Sequence, residues 1–222
     1  LNFLNSLWPG DAASIAALQE WFGYLLTPDT SMQKMLLVIG PPRAGKGTIA
    51  QVLSELVGRR NVVGVSLASL QNNFGLEPLL DKPLAVISDA RLDGGGTDQL
   101  VERLLSISGE DTVTVDRKYK SSWTGRLPTR FLVLSNELPR LRDNSGAVAR
   151  RFVTLQLTRN WLGRENLDLL VELVQELPGI LNWALDGLNR LEKLGRFTEG
   201  SASLQARVTM EEAGSPVLAF VR

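Results

Sequence analysis

At 222 residues the chain is long enough to bury a substantial core, and its 44% hydrophobic and 22% charged composition is ordinary for a globular protein. It has no cysteine and no histidine, which excludes disulfides, thiolate or imidazole metal sites, and nucleophiles activated by histidine. Formal net charge is zero, no apolar run reaches membrane-spanning length and no secretory leader is evident, so any chemistry rests on carboxylates, lysines, arginines, backbone amides and a bound ion. The chain begins Leu1-Asn2-Phe3 without a methionine, the beginning expected of a piece excised from a longer polypeptide.

In chain order, residues 11–26 carry apolar side chains at helical spacing (Ile15, Leu18, Trp21, Phe22, Leu25) and stop near Thr27-Pro28. Met35–Ile39 is a short continuous apolar run, the pattern of a strand buried on both faces. A glycine- and proline-rich loop leads into a helix expected from Lys46 to about Leu56, ending near Gly58. Val62–Val65 and Leu84–Ser88 read as further strands, and Thr97 as the start of a helix reaching Ser106. Thr112–Asp116 alternates like one arm of a hairpin whose tip is Arg117-Lys118-Tyr119-Lys120. Phe131–Leu134 and Phe152–Leu157 are two more buried strands. From Asn166 the pattern is helical, with breaks expected at Leu177-Pro178-Gly179 and near Gly195. Beyond Gly200 the composition is that of a Ser/Ala/Glu-rich linker. Strands alternating with helices imply an α/β fold with a mainly parallel sheet and helical additions at both ends.

The loop Gly40-Pro41-Pro42-Arg43-Ala44-Gly45-Lys46-Gly47-Thr48 sits between a strand and a helix. That is the context in which backbone N–H groups cradle phosphate oxygens and a helix N-terminus favours negative charge. Lys46 would reach the β- and γ-phosphates. Gly47 stands where a hydroxyl is usual, and the hydroxyl follows one residue later as Thr48, which would serve a magnesium ion or a phosphate. Nucleotide binding, with ATP and Mg2+, is the expectation. The wording of the loop also resembles adenylate-kinase-like nucleotide kinases.

Three further features bear on the use of that nucleotide. The strand Leu84–Ile87 runs through Ser88 into Asp89, an acid placed to hold magnesium directly or through water. Ser135-Asn136 ends a second buried strand, where a polar side chain can orient an attacking water. Arg150-Arg151-Phe152 follows, either an arginine finger for a neighbouring subunit or two cations solvating a helix end. From Arg117 to Arg164 there are eleven lysines and arginines against two acids, a candidate phosphate-backbone footprint. Trp21 and Trp183 fall in helical apolar patterns and read as packing residues, whereas Trp123 lies beside the basic hairpin.

Together these elements resemble the superfamily 3 helicases, AAA+ motors of small DNA viruses, phages and plasmids, and most of all the helicase part of phage and plasmid primase–helicases. The resemblance is carried by the phosphate loop, Ala85–Asp89, Val113–Lys120, Pro128–Asn136, Arg150–Phe152 and the helical stretch Leu177–Ala184. It implies an AAA+ P-loop core over residues 32–160, flanked by helical segments over 1–31 and 161–199, with 200–222 leading elsewhere. It further implies ATP hydrolysis coupled to 3′-to-5′ translocation on single-stranded DNA by a ring, usually a hexamer, fused to or associated with a primase, in the cytoplasm of a bacterial host. Under the resemblance Lys46, Asp89, Asn136 and Arg151 are catalytic, Arg103 is a further trans-acting candidate beside Arg150 and Arg151, and Thr48 with Asp89 serve the metal. Arg117, Lys118, Tyr119 and Lys120 would grip DNA in the central channel. The chain departs from the family at Ser88, where many members carry a first acid, and at Tyr119, where viral relatives often carry histidine. An ATP-binding replication initiator or switch that does not unwind DNA, and a nucleotide kinase, are the competing readings.

Overall fold

The computed structural model describes residues 1–88, 97–139, 143 and 145–214. Its elements are α1 (Asn2–Leu7), α2 (Ala12–Leu25), β1 (Met35–Ile39), α3 (Lys46–Val57), β2 (Val62–Val65), α4 (Leu67–Leu70), β3 (Leu84–Ile87) and α5 (Thr97–Ser108). They continue with β4 (Val113–Arg117), β5 (Lys120–Gly125), β6 (Arg130–Ser135), α6 (Ala147–Arg151), β7 (Phe152–Gln156), α7 (Leu169–Gln175), α8 (Leu177–Leu194) and α9 (Ser201–Gly214).

Five strands form a wholly parallel sheet in the order β2-β3-β6-β1-β7. β1 is flanked by β6 and β7, and all five of its residues are buried, which is why its sequence is continuously apolar rather than alternating. The pleat divides the core in two. Leu36, Val38, Leu132, Leu134, Val153 and Leu155 face a layer containing α1, α2, α3 and α8. Leu37, Ile39, Ala85, Ile87, Val133 and Phe152 face the other, with Leu100, Leu104 and Val148 from α5 and α6. The result is the expected α/β fold, a mainly parallel sheet between two helical layers.

The hairpin β4–β5 is a separate antiparallel ribbon, closed by a turn at Lys118-Tyr119. Val115 is fully buried at its base, and the Lys118 N–H donates to the Glu77 carboxylate at 3.2 Å.

One expectation is corrected. Residues Ser201–Gly214 form α9 instead of a linker. Its small and apolar residues Ser203, Ala206 and Met210 are buried, and Ser203 Oγ accepts the backbone N–H of Thr154 on β7 at 3.3 Å. A parallel edge strand left open exposes unpaired N–H and C=O groups, and α9 covers that edge. The break expected at Leu177-Pro178-Gly179 falls at Glu176, between the end of α7 and the start of α8, and proline sits in the first turn of α8, where its missing N–H would have had no intrahelical partner.

The helical prefix packs directly on the C-terminal helices. Glu20 on α2 is fully buried and accepts from Arg190 Nε on α8 (2.7 Å), Thr198 N (2.7 Å) and Thr198 Oγ1 (2.7 Å), so its charge is paired and hydrogen-bonded, as a buried charge must be. Trp21, Tyr24 and Phe197 form an aromatic cluster in the same interface. No helix among the described residues is long and apolar enough to cross a membrane.

Helix α6, which carries Arg150 and Arg151, is started by Asp143. Its carboxylate accepts from Ser145 N (2.9 Å), Ser145 Oγ (2.5 Å) and Val148 N (2.7 Å). Partial burial opposes the charge, but the hydrogen bonds from Ser145, Val148 and Ala147 outweigh it and hold the carboxyl below its ordinary value. A carboxylate depressed on folding stabilises the fold above its unfolded pKa, and that contribution is lost as pH falls through the folded value. Asp143→Ala is therefore expected to cost about 1 kcal/mol at neutral pH. In urea titrations the gap from wild type should close as pH drops below ~4. A gap independent of pH would show that the carboxylate is not the cause.

Candidate functional site

In a parallel α/β sheet, ligands bind beyond the carboxyl ends of the strands. Here that edge gathers the loop after β1, the Ser88 end of β3, Ser135-Asn136 after β6 and the Gln156 end of β7. The loop from Gly40 to Gly45 feeds α3, whose N-cap Gly45 has φ +97°, a conformation that favours glycine. Gly40 lies so close to β7 that an added Cβ would stand 2.7 Å from Leu157 Cβ and its carbonyl oxygen. Arg43 also has positive φ. Its carbonyl accepts the N–H of Trp161 at 3.0 Å, and its guanidinium lies 3.7 Å from the Glu165 carboxylate.

Lys46, first residue of α3, donates to Gly40 O (2.5 Å), Pro41 O (2.8 Å) and Asn136 Oδ1 (2.9 Å). Two residues picked from motifs 90 positions apart therefore share one hydrogen bond at the mouth of the loop. Ser135, buried beneath them, donates to Glu137 O at 2.5 Å and accepts Glu137 N–H at 3.3 Å, which braces the chain just after Asn136.

Thr48 lines a cleft of 610 Å³ together with Gly45, Phe3, Trp161, Arg164 and Asn166. Gly47 is on open ground, with nothing within 4 Å of an added Cβ. The cleft is large enough for a nucleoside and has aromatic walls. Phe3, Trp161 and Asn166 were not singled out from the sequence, because α1 and the segment after β7 meet only through the fold and carry no local motif. Asp89 lies outside the described residues. Among the described residues no cluster of three acids forms a metal site. Magnesium takes much of its coordination from phosphates and water and needs few protein ligands, and the Thr48 residue on the cleft wall carries one oxygen of the required kind.

The arginine pair sits at the other end of the sheet. Phe152, next after Arg151, pairs with Met35 at the start of β1, whereas the phosphate loop follows Ile39 at its end. A five-residue strand separates the two by roughly 15 Å. Arg151 donates to the carbonyls of Ser108 (3.0 Å) and Gln33 (3.5 Å), and Arg150 pairs with Glu211 on α9 at 3.1 Å. Lys34, absent from the sequence reading, donates to Arg150 O at 2.5 Å. Burial pushes its ammonium below the ordinary lysine value; Glu199 opposes this, and the nearby Arg207 and Arg151 charges add to it. An isolated lysine before an apolar strand gives no signal of such a neighbourhood in the sequence. Arg103 donates to the carbonyls of Leu70 and Asn72, tying α5 to the turn after α4 in its own chain.

The basic stretch 117–164 does not form one footprint. Arg130 is buried against the Tyr24 ring and donates to the carbonyls of Thr27 and Asp29. Among the described residues, Arg150 and Arg151 lie at the amino-terminal end of the strands, Arg164 lines the cleft, and Arg117, Lys118 and Lys120 belong to the hairpin. At the hairpin tip Tyr119 is 93% exposed, Lys118 Nζ lies 5.2 Å from the centre of its ring, and Lys120 is exposed. Arg117 folds back onto Ser121 O at 2.8 Å. Trp123 is half-buried on the ribbon, packed against the core.

The fold is that of an α/β protein with a P-loop-like three-layer architecture, its glycine-rich loop lying between β1 and α3. The chain belongs to the family of unknown function DUF5906, whose model matches residues 38–151, from the first strand through the arginine pair. Its fold is similar to the apo structure of the NrS-1 C-terminal region, with TM-score 0.74 and 17% identity over 96% of this chain and 50% of that one. Two A-form apo structures of the same region match with TM-scores of 0.67 and 0.70 at 16% identity, over 95% and 99% of this chain and 50% and 51% of theirs. The chain thus spans about half the length of the solved structures it matches.

Proposed function

We propose that the protein is an ATP-hydrolysing DNA helicase motor that works as a ring, with each nucleotide shared between two subunits. The observation that carries this reading is the meeting of Lys46 and Asn136 at 2.9 Å on the edge where a phosphate loop would hold its ligand. A P-loop kept only for packing has no use for an asparagine on its lysine.

In this reading the loop N–H groups and Lys46 bind the β- and γ-phosphates, and Asn136 orients the water that attacks. The nucleoside lies in the cleft between α1 and the segment after β7, with Thr48 reaching a phosphate or the metal. Magnesium, when bound, neutralises charge across the β- and γ-phosphates, with Thr48 and Asp89 as its protein ligands. Arg151 and Lys34 are too far from their own phosphate loop to serve it. Both are half-buried at the amino-terminal end of the strands, where they hold carbonyls of their own chain, and in this reading they turn from those carbonyls to a neighbour's nucleotide. The hairpin offers Lys118 for phosphate contact and the Tyr119 ring for stacking, a sequence-independent grip on single-stranded DNA.

The test is the ATPase rate with and without single-stranded DNA for wild type, Arg151→Ala, Lys46→Ala and equimolar mixtures. DNA should stimulate wild type. Each variant alone should lose activity, by on the order of 10²-fold or more, and mixing the two should restore part of it. The double variant Lys118→Ala, Tyr119→Ala should lose the DNA stimulation. A rate indifferent to DNA and Arg151 but raised by nucleoside monophosphates would replace the motor with a kinase. Ser88 favours a second reading, an ATP-dependent assembly switch, since hydroxyl replaces a carboxylate that could polarise water. DNA-stimulated hydrolysis without strand displacement would support it.

A further inference from the structure

We infer that Glu137 is the carboxylate that takes the proton from the attacking water, an inference resting on the ATPase reading above. Hydrolysis of a γ-phosphate needs a group that orients the water and accepts its proton. The chain has no histidine, and the hydroxyl of Ser88 cannot serve as a base at neutral pH. A partly open cavity of 360 Å³, with a half-polar lining, lies beyond the carboxyl ends of β1, β6 and β7 and is flanked by α9. That volume holds roughly ten waters.

Asn136 lines this cavity and also accepts from Lys46, so the chamber abuts the cation that would hold the γ-phosphate. Glu137 is its one carboxylate among the described residues, and the other polar groups come from Gln156 and from Gln205 and Thr209 on α9. Ser135 Oγ donates to Glu137 O and accepts Glu137 N–H, which fixes the backbone from which the exposed Glu137 side chain lines the cavity together with Asn136. In the step, the water oxygen bonds to the γ-phosphorus. The bond from phosphorus to the β–γ bridging oxygen breaks, its electron pair leaves on ADP, and the water proton passes to Glu137. Helix α9 thereby belongs to the catalytic chamber as well as to the sheet edge.

Glu137→Gln keeps size and hydrogen bonding but removes the base. Its kcat for ATP should fall on the order of 10²-fold, while trinitrophenyl-ATP binds as it does to wild type. Nucleotide recovered from the variant after incubation with ATP and magnesium should be mostly ATP, where wild type yields mostly ADP. A variant rate within about threefold of wild type, or a bound pool rich in ADP, overturns the inference and leaves the ATPase reading standing. Loss of trinitrophenyl-ATP binding in the variant overturns it in favour of a structural role. A wild type that neither binds nor hydrolyses ATP overturns both.

Discussion

Lys46→Ala is expected to lose ATP binding and hydrolysis together, with kcat/KM falling on the order of 10³-fold, about 4 kcal/mol of transition-state stabilisation. The ammonium is anchored by Gly40 O, Pro41 O and Asn136 Oδ1, so it stands ready at the position where phosphate charge would arrive. Removing it also strips Asn136 of the hydrogen bond that orients it. Lys46→Arg tests the geometry separately. A planar guanidinium brings the charge but not the compact point donor, and it should recover little. Titration with trinitrophenyl-ATP alongside the hydrolysis assay distinguishes the two losses. Retention of full activity in Lys46→Ala would remove the phosphate loop from the mechanism.

Gly23→Ala is expected to be the most damaging of the small substitutions. An added Cβ would press on the carbonyl oxygen of Ala184 and lie 2.6 Å from the backbone nitrogen of Leu188. Gly187 meets the backbone of Gln19 in the same way. Helices α2 and α8 therefore cross with their backbones touching, and neither can retreat without opening the core around Trp21 and Leu191. Backbone cannot swing aside as a side chain can, so the cost should reach ~3 kcal/mol, a fall in Tm of roughly 6–12 °C for a chain of this size. Gly179→Ala in the first turn of α8 has open space and should be neutral or slightly stabilising. Equal effects at the two positions would place the sensitivity in helix propensity rather than packing.

The two predictions draw on different levels of information. Lys46 was legible in the sequence because its meaning is local: a strand, a glycine-rich loop and a helix within fourteen residues state their own geometry. The inner sheet strands were legible for a similar reason, since burial on both faces leaves a continuous apolar run such as Met35–Ile39; the half-buried edge strand β2 showed itself through its valines. The hairpin declared itself through alternation ending in a basic turn. Gly23 was silent, because nothing near it in sequence reveals that α8 crosses there.

Helix α9 was missed for a related reason. Its few buried residues are small, Ser203 and Ala206 with Met210, so it lacks the apolar stripe that marks a packed helix. Proline at 178 marked the break between α7 and α8, because it stands in the first turn of the second helix. The eleven-cation stretch looked continuous in sequence, but the fold sends Arg130 into the core and Arg151 onto backbone carbonyls.

By itself the sequence determined the α/β class, the strand positions, the glycine-rich loop between β1 and α3 and the basic hairpin, all of which follow from periodicity and turn chemistry over short windows. Only the tertiary structure decided that Lys46 meets Asn136, that Phe3 and Trp161 wall one cleft, that Lys34 lies beside the arginine pair, and that α9 flanks the cavity lined by Glu137. Those relations depend on strand order and helix crossing. Both are set by how distant apolar surfaces pack together, and no local pattern encodes them.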